Sequence, residues 1–308
     1  MKKILLIGAA GFVGPYLYKN LKDHGYEVVT TKTKNETPNN DIEYINLDIL
    51  NKEEIHLVLK DINPDYVVNL AAQSSVKMSW INPSLTFNVN VMGLINILEA
   101  IRLENLSPRI LLIGSSEEYG ENCKDDVNEE VELKPNNFYA LTKKMQEEIA
   151  DIYVKRFNFD IVLTRSFNHI GVGQNKGFVV SDFAHQIVDI EKNEGRGEIL
   201  VGNLKAKRDF SNVKDVVNAY RLLLEKGKKG EIYNVGSGKS YSIEYILNTL
   251  LSYSPAKISV KIDENKFRPI DTEYIKADIT KLKKDTNIEF EYTLEETLKE
   301  IIDHLRKN

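Results

Sequence analysis

Tyr139 and Lys143 stand four positions apart in the stretch "FYALTKKM". On a helix that spacing puts both side chains on one face. An ordinary tyrosine has a pKa of about 10, too high for easy proton exchange at neutral pH. A nearby ammonium lowers it toward a useful general acid or base. The spacing alone does not select this pair, because Tyr18 and Lys22 share it, as do Tyr253 and Lys257. The last two flank Pro255, which breaks any continuous helix between them. A second group of chemically capable residues is Gly8, Gly11 and Gly14 in "GAAGFVG". At a strand-to-helix turn, such glycines bring free backbone N–H groups against a pyrophosphate. A third is "GSSEEYG", where Ser115, Ser116 and Glu117 follow an apolar run.

The flanking pattern places these residues. "KKILLIG" is a continuous apolar run ending in glycine, and "FVGPYLYKNLKDHG" has helical period and a closing glycine. "YEVVTT" and "IEYINLDI" read as strands, "NKEEIHLVLKDINP" as a helix, and "DYVVNLAA" as a buried strand. A long helix follows in "PSLTFNVNVMGLINILEAIRLENL", then the strand "RILLIGSS", the helix from Phe138 to Phe157, and the strand "DIVLTRSF". Short apolar strands alternating with helices predict an α/β fold with a Rossmann-type, doubly wound parallel sheet. Ligands in such sheets bind outside the carboxyl ends of the strands. Ser115 and Ser116 stand at one such end, and Tyr139 begins the helix that follows. After Phe167 the pattern loosens, which predicts a smaller C-terminal unit of interleaved segments. The expected division is 1–167 plus 212–235 for the first domain and 168–211 plus 236–308 for the second.

The chain has 308 residues, 42% hydrophobic and 28% charged, an ordinary globular balance. A net charge of −5 gives no general attraction to nucleic acid or to acidic membranes. Cys123 is the single cysteine, which rules out an intrachain disulfide and a cysteine zinc cluster. Five scattered histidines show no metal spacing, so no metal is expected. The basic, then apolar, start "MKKILLIG" runs into glycines without a small-residue cleavage site, and reads as a strand rather than a signal peptide. No apolar run approaches the roughly 18 residues of a membrane span. A cytoplasmic location is the expectation.

The G-x-x-G-x-x-G spacing, with the strand and helix around it, resembles the short-chain dehydrogenase/reductase superfamily, in its extended branch acting on nucleotide sugars. The resemblance singles out Tyr139 and Lys143 from the other two pairs. It also selects Ser115, four residues before the tyrosine of "S-x-x-x-Y-G", over Ser116. It implies a nicotinamide dinucleotide held by Gly8, Gly11, Phe12, Val13 and Gly14. Asp48 and Ile49 would hold the adenine, with Leu70, Ala71 and Ala72 at the fourth strand end and Asn90 in the following helix. A ribose-binding carboxylate is expected at the end of the second strand. Lys32 stands there instead, with Thr30, Thr31 and Lys34 nearby. That favours NADP(H), whose 2′-phosphate a lysine can hold, with NAD(H) the alternative. The resemblance implies that Lys143 supplies charge and holds the nicotinamide ribose, and that Ser115 polarises a carbonyl. Ser116 and Asn168 would meet substrate, with Arg208 and Arg268 gripping its diphosphate through guanidinium forks.

"LAAQSSV", "FNHIGVGQ", "GNLKAKRDFSNVKDVVNAY" and "YNVGSGKSYSI" are similar to the GDP-4-keto-6-deoxy-D-mannose reductases, over nearly the whole chain. That implies NAD(P)H-dependent reduction of the 4-keto group of GDP-4-keto-6-deoxy-D-mannose to GDP-D-rhamnose, with Tyr139 as proton donor. GDP-mannose 4,6-dehydratase or another nucleotide-sugar epimerase or dehydratase is the alternative, and Glu117 occupies the position of the dehydratase's acid or base. Against dehydration stand the short chain and the loop after Asn168, which lacks that group's double arginine. Two departures from the reductase pattern are Val172, where proline is common, and Ile270 within the Arg-Pro-x-Asp loop. A non-catalytic NADP-binding sensor is a third reading, opposed by the presence of Ser115, Tyr139 and Lys143 together. Related enzymes pair the helices 88–104 and 138–157 with their copies, so a homodimer is expected.

Overall fold

In the computed structural model, residues 1–307 are described except for Pro38, Asn40, 122–125, Glu194 and 268–271. Seven strands form one parallel sheet. From edge to edge they are Ile232–Val235, Asp160–Ser166, Arg109–Ser115, Tyr66–Asn69, Lys3–Ile7, Glu27–Lys32 and Tyr44–Asn46. The order reverses direction at the first strand, which is the doubly wound arrangement expected from the alternating pattern.

The continuous apolar runs have a direct structural reason. Successive strand side chains point to opposite faces of a sheet. Ile4 and Leu6 join the core on one face, and Leu5 and Ile7 the core on the other. All four are fully buried or nearly so. A strand covered on both faces cannot afford alternate polar residues.

Local signals fix the helices that carry the chemistry. The Asn137 side chain accepts a hydrogen bond from the Ala140 N–H at 2.8 Å and so starts the helix Phe138–Phe157. Asn158, with φ of 60°, ends it in the left-handed region. Tyr253 and Lys257 fall outside one helix, as the intervening proline requires: Tyr253 closes Ile243–Ser252 and Lys257 opens a strand.

The stretch Pro83–Leu103 departs from the sequence expectation. By length and composition it is long and apolar enough to cross a membrane, and 56% of its most apolar window is buried. Asn88, Asn90 and Asn96 interrupt the apolar run in sequence, which is why counting uninterrupted residues passes over it. Its Leu94, Ile97, Leu98 and Ile101 pack against the sheet. A π-helical turn, Asn88–Met92, interrupts its α-helical pitch.

A second core gathers the helices Val179–Lys192, Ile243–Ser252 and Leu294–Lys307 with parts of the strands Arg196–Val201 and Lys207–Asn212. The segment 275–288, grouped by sequence with this second unit, sends Ile275, Ala277, Ile279, Leu282 and Ile288 into the first core instead.

Candidate active site

The glycine loop is built to admit a ligand backbone-close. Gly8 has φ of +74°, and a Cβ there would lie 2.7 Å from the Ala71 backbone. A Cβ on Gly14 would lie 1.9 Å from the Ala9 carbonyl oxygen, so glycine is what lets the helix Val13–Asp23 rest on the strand turn. Gly11 is different: an added Cβ would meet nothing closer than 3.8 Å within the chain. It faces open space on the cleft lining, so a ligand could approach its backbone closely. The helix Val13–Asp23 has no side-chain cap hydrogen bond at its N-terminus, although the Gly14 N–H already donates to the Gly11 carbonyl at 3.2 Å, so an anion would meet a helix start without a competing cap. Glycine cradle and uncapped helix start together fit the pyrophosphate of a dinucleotide.

A cleft of about 520 Å³ runs from this loop along the carboxyl ends of the strands to Tyr139. Of the residues expected to hold cofactor, Gly8, Gly11, Phe12, Val13, Gly14, Asp48, Ile49, Leu70, Ala71 and Ala72 line it. Ser115, Glu117, Tyr139, Lys143 and Asn168 line its other end.

Four of the residues named from the sequence lie outside this lining. Lys32 does not line the cleft; its Nζ donates to the carbonyls of Thr33 and Glu36 at 3.3 and 3.4 Å. Asn90 does not line it either. It is fully buried, accepts from the Gln73 N–H, and donates to the Gln73 carbonyl and the Thr142 hydroxyl. Its amide is spent on tying the loop after the fourth strand to the catalytic helix. Ser116 is buried beside the cleft without lining it. Arg208 lies on the strand Lys207–Asn212, away from the cleft lining, and donates to the Lys207 carbonyl at 2.9 Å. Arg268 falls outside the described residues.

A carboxylate does reach the adenosine end, although none stands at the end of the second strand. Glu36 lines the cleft with Thr33. Its Oε2 accepts from the Thr33 N–H at 2.6 Å and from the Thr33 hydroxyl at 3.0 Å. The sequence held a signal for this turn: Thr33 and Glu36 have the spacing with which a hydroxyl residue and a glutamate satisfy one another's backbone. His169, which the sequence places beside the site, to touch substrate or support the loop, also lines the cleft. It stacks on Phe12 with ring centres 6.1 Å apart, and burial lowers its pKa.

At the reaction end, Ser115 and Tyr139 lie buried together on the cleft lining, close enough for the Ser115 hydroxyl to act on the Tyr139 phenol. Burial pushes the Tyr139 phenol up from its ordinary value; the Ser115 hydroxyl acts downward, and the Glu118 and Glu117 carboxyls act upward. The expected lowering by Lys143 does not prevail here. The Lys143 ammonium donates to the Ile113 carbonyl at 2.8 Å and to Gln146 Oε1 at 3.0 Å, and lies 5.9 Å from the Tyr139 ring centre. Burial lowers Lys143 itself to about 8, against the upward pull of Glu118. A phenol that keeps its proton, beside a serine hydroxyl at the head of a cleft, is placed to give that proton to a developing alkoxide. Among the described residues no group of three metal-binding side chains occurs.

The family profile described as GDP-mannose 4,6 dehydratase matches residues 5–301. The chain is 29% identical over 241 residues to the GDP-6-deoxy-D-mannose reductase of Pseudomonas aeruginosa, covering 78% of this chain and 79% of that protein. It is 29% identical over 307 residues to the GDP-6-deoxy-D-talose 4-dehydrogenase of Aggregatibacter actinomycetemcomitans, covering 99% and 97%. Among solved structures, RMD from Pseudomonas aeruginosa complexed with NADPH superposes with a TM-score of 0.87 at 26% identity, over 100% of this chain and 99% of that one. The Thermus thermophilus UDP-glucose 4-epimerase complex with NAD gives 0.88 at 25%, over 99% of each. With its sheet order, glycine loop and Ser–Tyr–Lys cleft, this chain belongs to the GDP-mannose 4,6-dehydratase family of extended short-chain dehydrogenase/reductases.

Proposed function

We propose that this protein reduces the 4-keto group of GDP-4-keto-6-deoxy-D-mannose, giving GDP-D-rhamnose. The observation that carries the reading is the placement of Ser115, Tyr139 and Lys143 together at the end of a cleft that begins with a dinucleotide loop. The glycine loop would hold the pyrophosphate, and Asp48 and Ile49 the adenine. When bound, NAD(P)H supplies the hydride that reaches C4. As that carbon gains a C–H bond, the carbonyl π pair moves to oxygen. The Ser115 hydroxyl donates to that oxygen and Tyr139 gives it a proton. Lys143, with a value of about 8, carries its charge at neutral pH and stabilises the tyrosinate left behind.

NADPH is the proposed preference. Among the described residues Lys32 makes two long contacts and can turn to a 2′-phosphate, with exposed Lys34 beside it. Glu36 opposes that phosphate, which keeps NADH usable. The proposed assembly is a homodimer. Met92, Leu103, Ile152 and Phe157 of the helical stretches Pro83–Leu103 and Phe138–Phe157 are exposed apolar side chains that a second copy would cover.

One observation favours a second reading. Glu117 lines the cleft, with Oε2 accepting from Asn137 at 3.2 Å, where a dehydratase would need its acid or base. Deuterium labelling separates the two. Reduction with deuterated NAD(P)H is expected to leave deuterium at C4 of the product sugar. Water loss from GDP-mannose, with no net cofactor oxidation, would transfer the assignment to dehydration.

A further inference from the structure

Directly beneath the Ser115–Tyr139–Lys143 cluster lies a carboxyl group that the proposed reaction does not use. Glu118 is 0% exposed. Its Oε1 accepts the Ser115 backbone N–H at 2.6 Å, closing the turn that aims the Ser115 side chain. Its Oε2 is buried and meets no hydrogen-bond donor among the described residues. The carboxyl of Glu147, from the helix Phe138–Phe157, acts on Glu118 and opposes its ionisation. Two neighbouring buried carboxyls do not both ionise where only one has a cationic partner. Glu147 is gripped on both oxygens by the Arg165 guanidinium, at 2.8 and 2.9 Å, with both side chains almost fully buried. That fork makes Glu147 the anionic member, and the proton falls to Glu118.

The remaining groups around Glu118 agree. From the same helix, Tyr139 and Lys143 face it, and from the strand Asp160–Ser166, Arg165 does. From its own turn come the Ser115 N–H and, next in sequence, Glu117. Lys143, although inside the field of Glu118, makes its two hydrogen bonds to neutral oxygens, those of Ile113 and Gln146. An ionised Glu118 would draw that ammonium into an ion pair and away from the cleft. Burial and the negative charge of Glu147 both push the Glu118 carboxyl well above its ordinary value.

We infer that Glu118 is protonated while Glu147 is ionised, and that this neutral acid is a positioning residue which fixes the Ser115 turn while leaving the Lys143 ammonium for the cleft. The inference rests on the triad reading given above for its consequence in catalysis, but the proton itself can be read without turnover. Glu118→Gln keeps the shape, one acceptor for the Ser115 N–H and a donor toward Glu147.

The infrared spectrum of the wild-type protein at neutral pH is expected to contain a protonated carboxylic acid C=O band that Glu118→Gln lacks. In lysine-labelled protein, the Lys143 titration, assigned by its loss in Lys143→Arg, is expected to be unmoved by Glu118→Gln. Absence of the band, together with a Lys143 pKa that falls in the glutamine variant, would mean an ionised Glu118 paired with Lys143 and would overturn the inference. Where turnover is measurable, Glu118→Gln should retain the wild-type pH profile. Glu118→Leu, which loses the acceptor, should lower kcat by roughly tenfold with KM little changed. A silent assay would defeat the proposed reaction and leave the infrared and titration results standing on their own.

Discussion

Tyr139 is the residue on which the chemistry turns. Tyr139→Phe removes the proton while keeping the ring in place. Turnover is expected to fall by about three orders of magnitude or more, with dinucleotide affinity near wild type by fluorescence titration. Retained turnover would mean that another group supplies the proton. At the adenosine end two substitutions should act in opposite directions. Lys32→Asp should shift the ratio of NADPH to NADH kcat/KM toward NADH, and Glu36→Gln should shift it toward NADPH. An unchanged ratio in both would remove the loop from cofactor choice. Ser115, Tyr139 and Lys143 were legible in the sequence because the family spacing singles out one tyrosine–lysine pair among three. Glu36 was not, because it comes from a turn beyond the strand and reaches the cleft only through its bonds to Thr33. Asn90 and Ser116 lie off the cleft lining for a related reason. Sequence position places a side chain near a cleft but does not say whether the fold has already used its hydrogen bonds.

At the scale of elements, the strand–glycine–helix turn and the buried ion pair are the parts with least tolerance. Gly14→Ala must push the helix Val13–Asp23 off the Ala9 carbonyl, and a loss of about 1–3 kcal/mol in urea unfolding is expected. Arg165→Met would leave Glu147 buried without its partner and take a donor from the Glu129 carbonyl. That should cost about 3–5 kcal/mol. A variant as stable as wild type would show that Glu147 finds another partner. The strands of the sheet were readable because double burial demands unbroken apolar runs. The segment 275–288 was not assigned to the right core, since its alternating pattern shows that it packs but not against which unit.

For the whole molecule, two buried groups give stability opposite dependences on pH. Glu118 has a folded value raised above 4.5, so its contribution is complete below that value and is lost as pH rises. Lys143 has a folded value of about 8, below its ordinary 10.5. Between those values the unfolded chain binds the extra proton, so this contribution grows with pH. Chemical denaturation across the range should show Glu118→Gln removing the falling component and Lys143→Met the rising one. Light scattering tests assembly: a dimer is expected, and Ile152→Asp with Phe157→Asp should make it monomeric. A wild-type monomer would leave those exposed faces without that role.

The measurement that bears most directly on the account starts from GDP-4-keto-6-deoxy-D-mannose, made fresh by a separate dehydratase, and adds this protein with NADPH or NADH. Sugar NMR then identifies the product. The account predicts cofactor oxidation with GDP-D-rhamnose formed, faster with NADPH. Formation of the 4-epimeric sugar would keep the reduction and reverse the face of attack on C4. No oxidation, with GDP-mannose consumed when the helper dehydratase is omitted, would contradict the reductase assignment and put Glu117 at the centre of the chemistry.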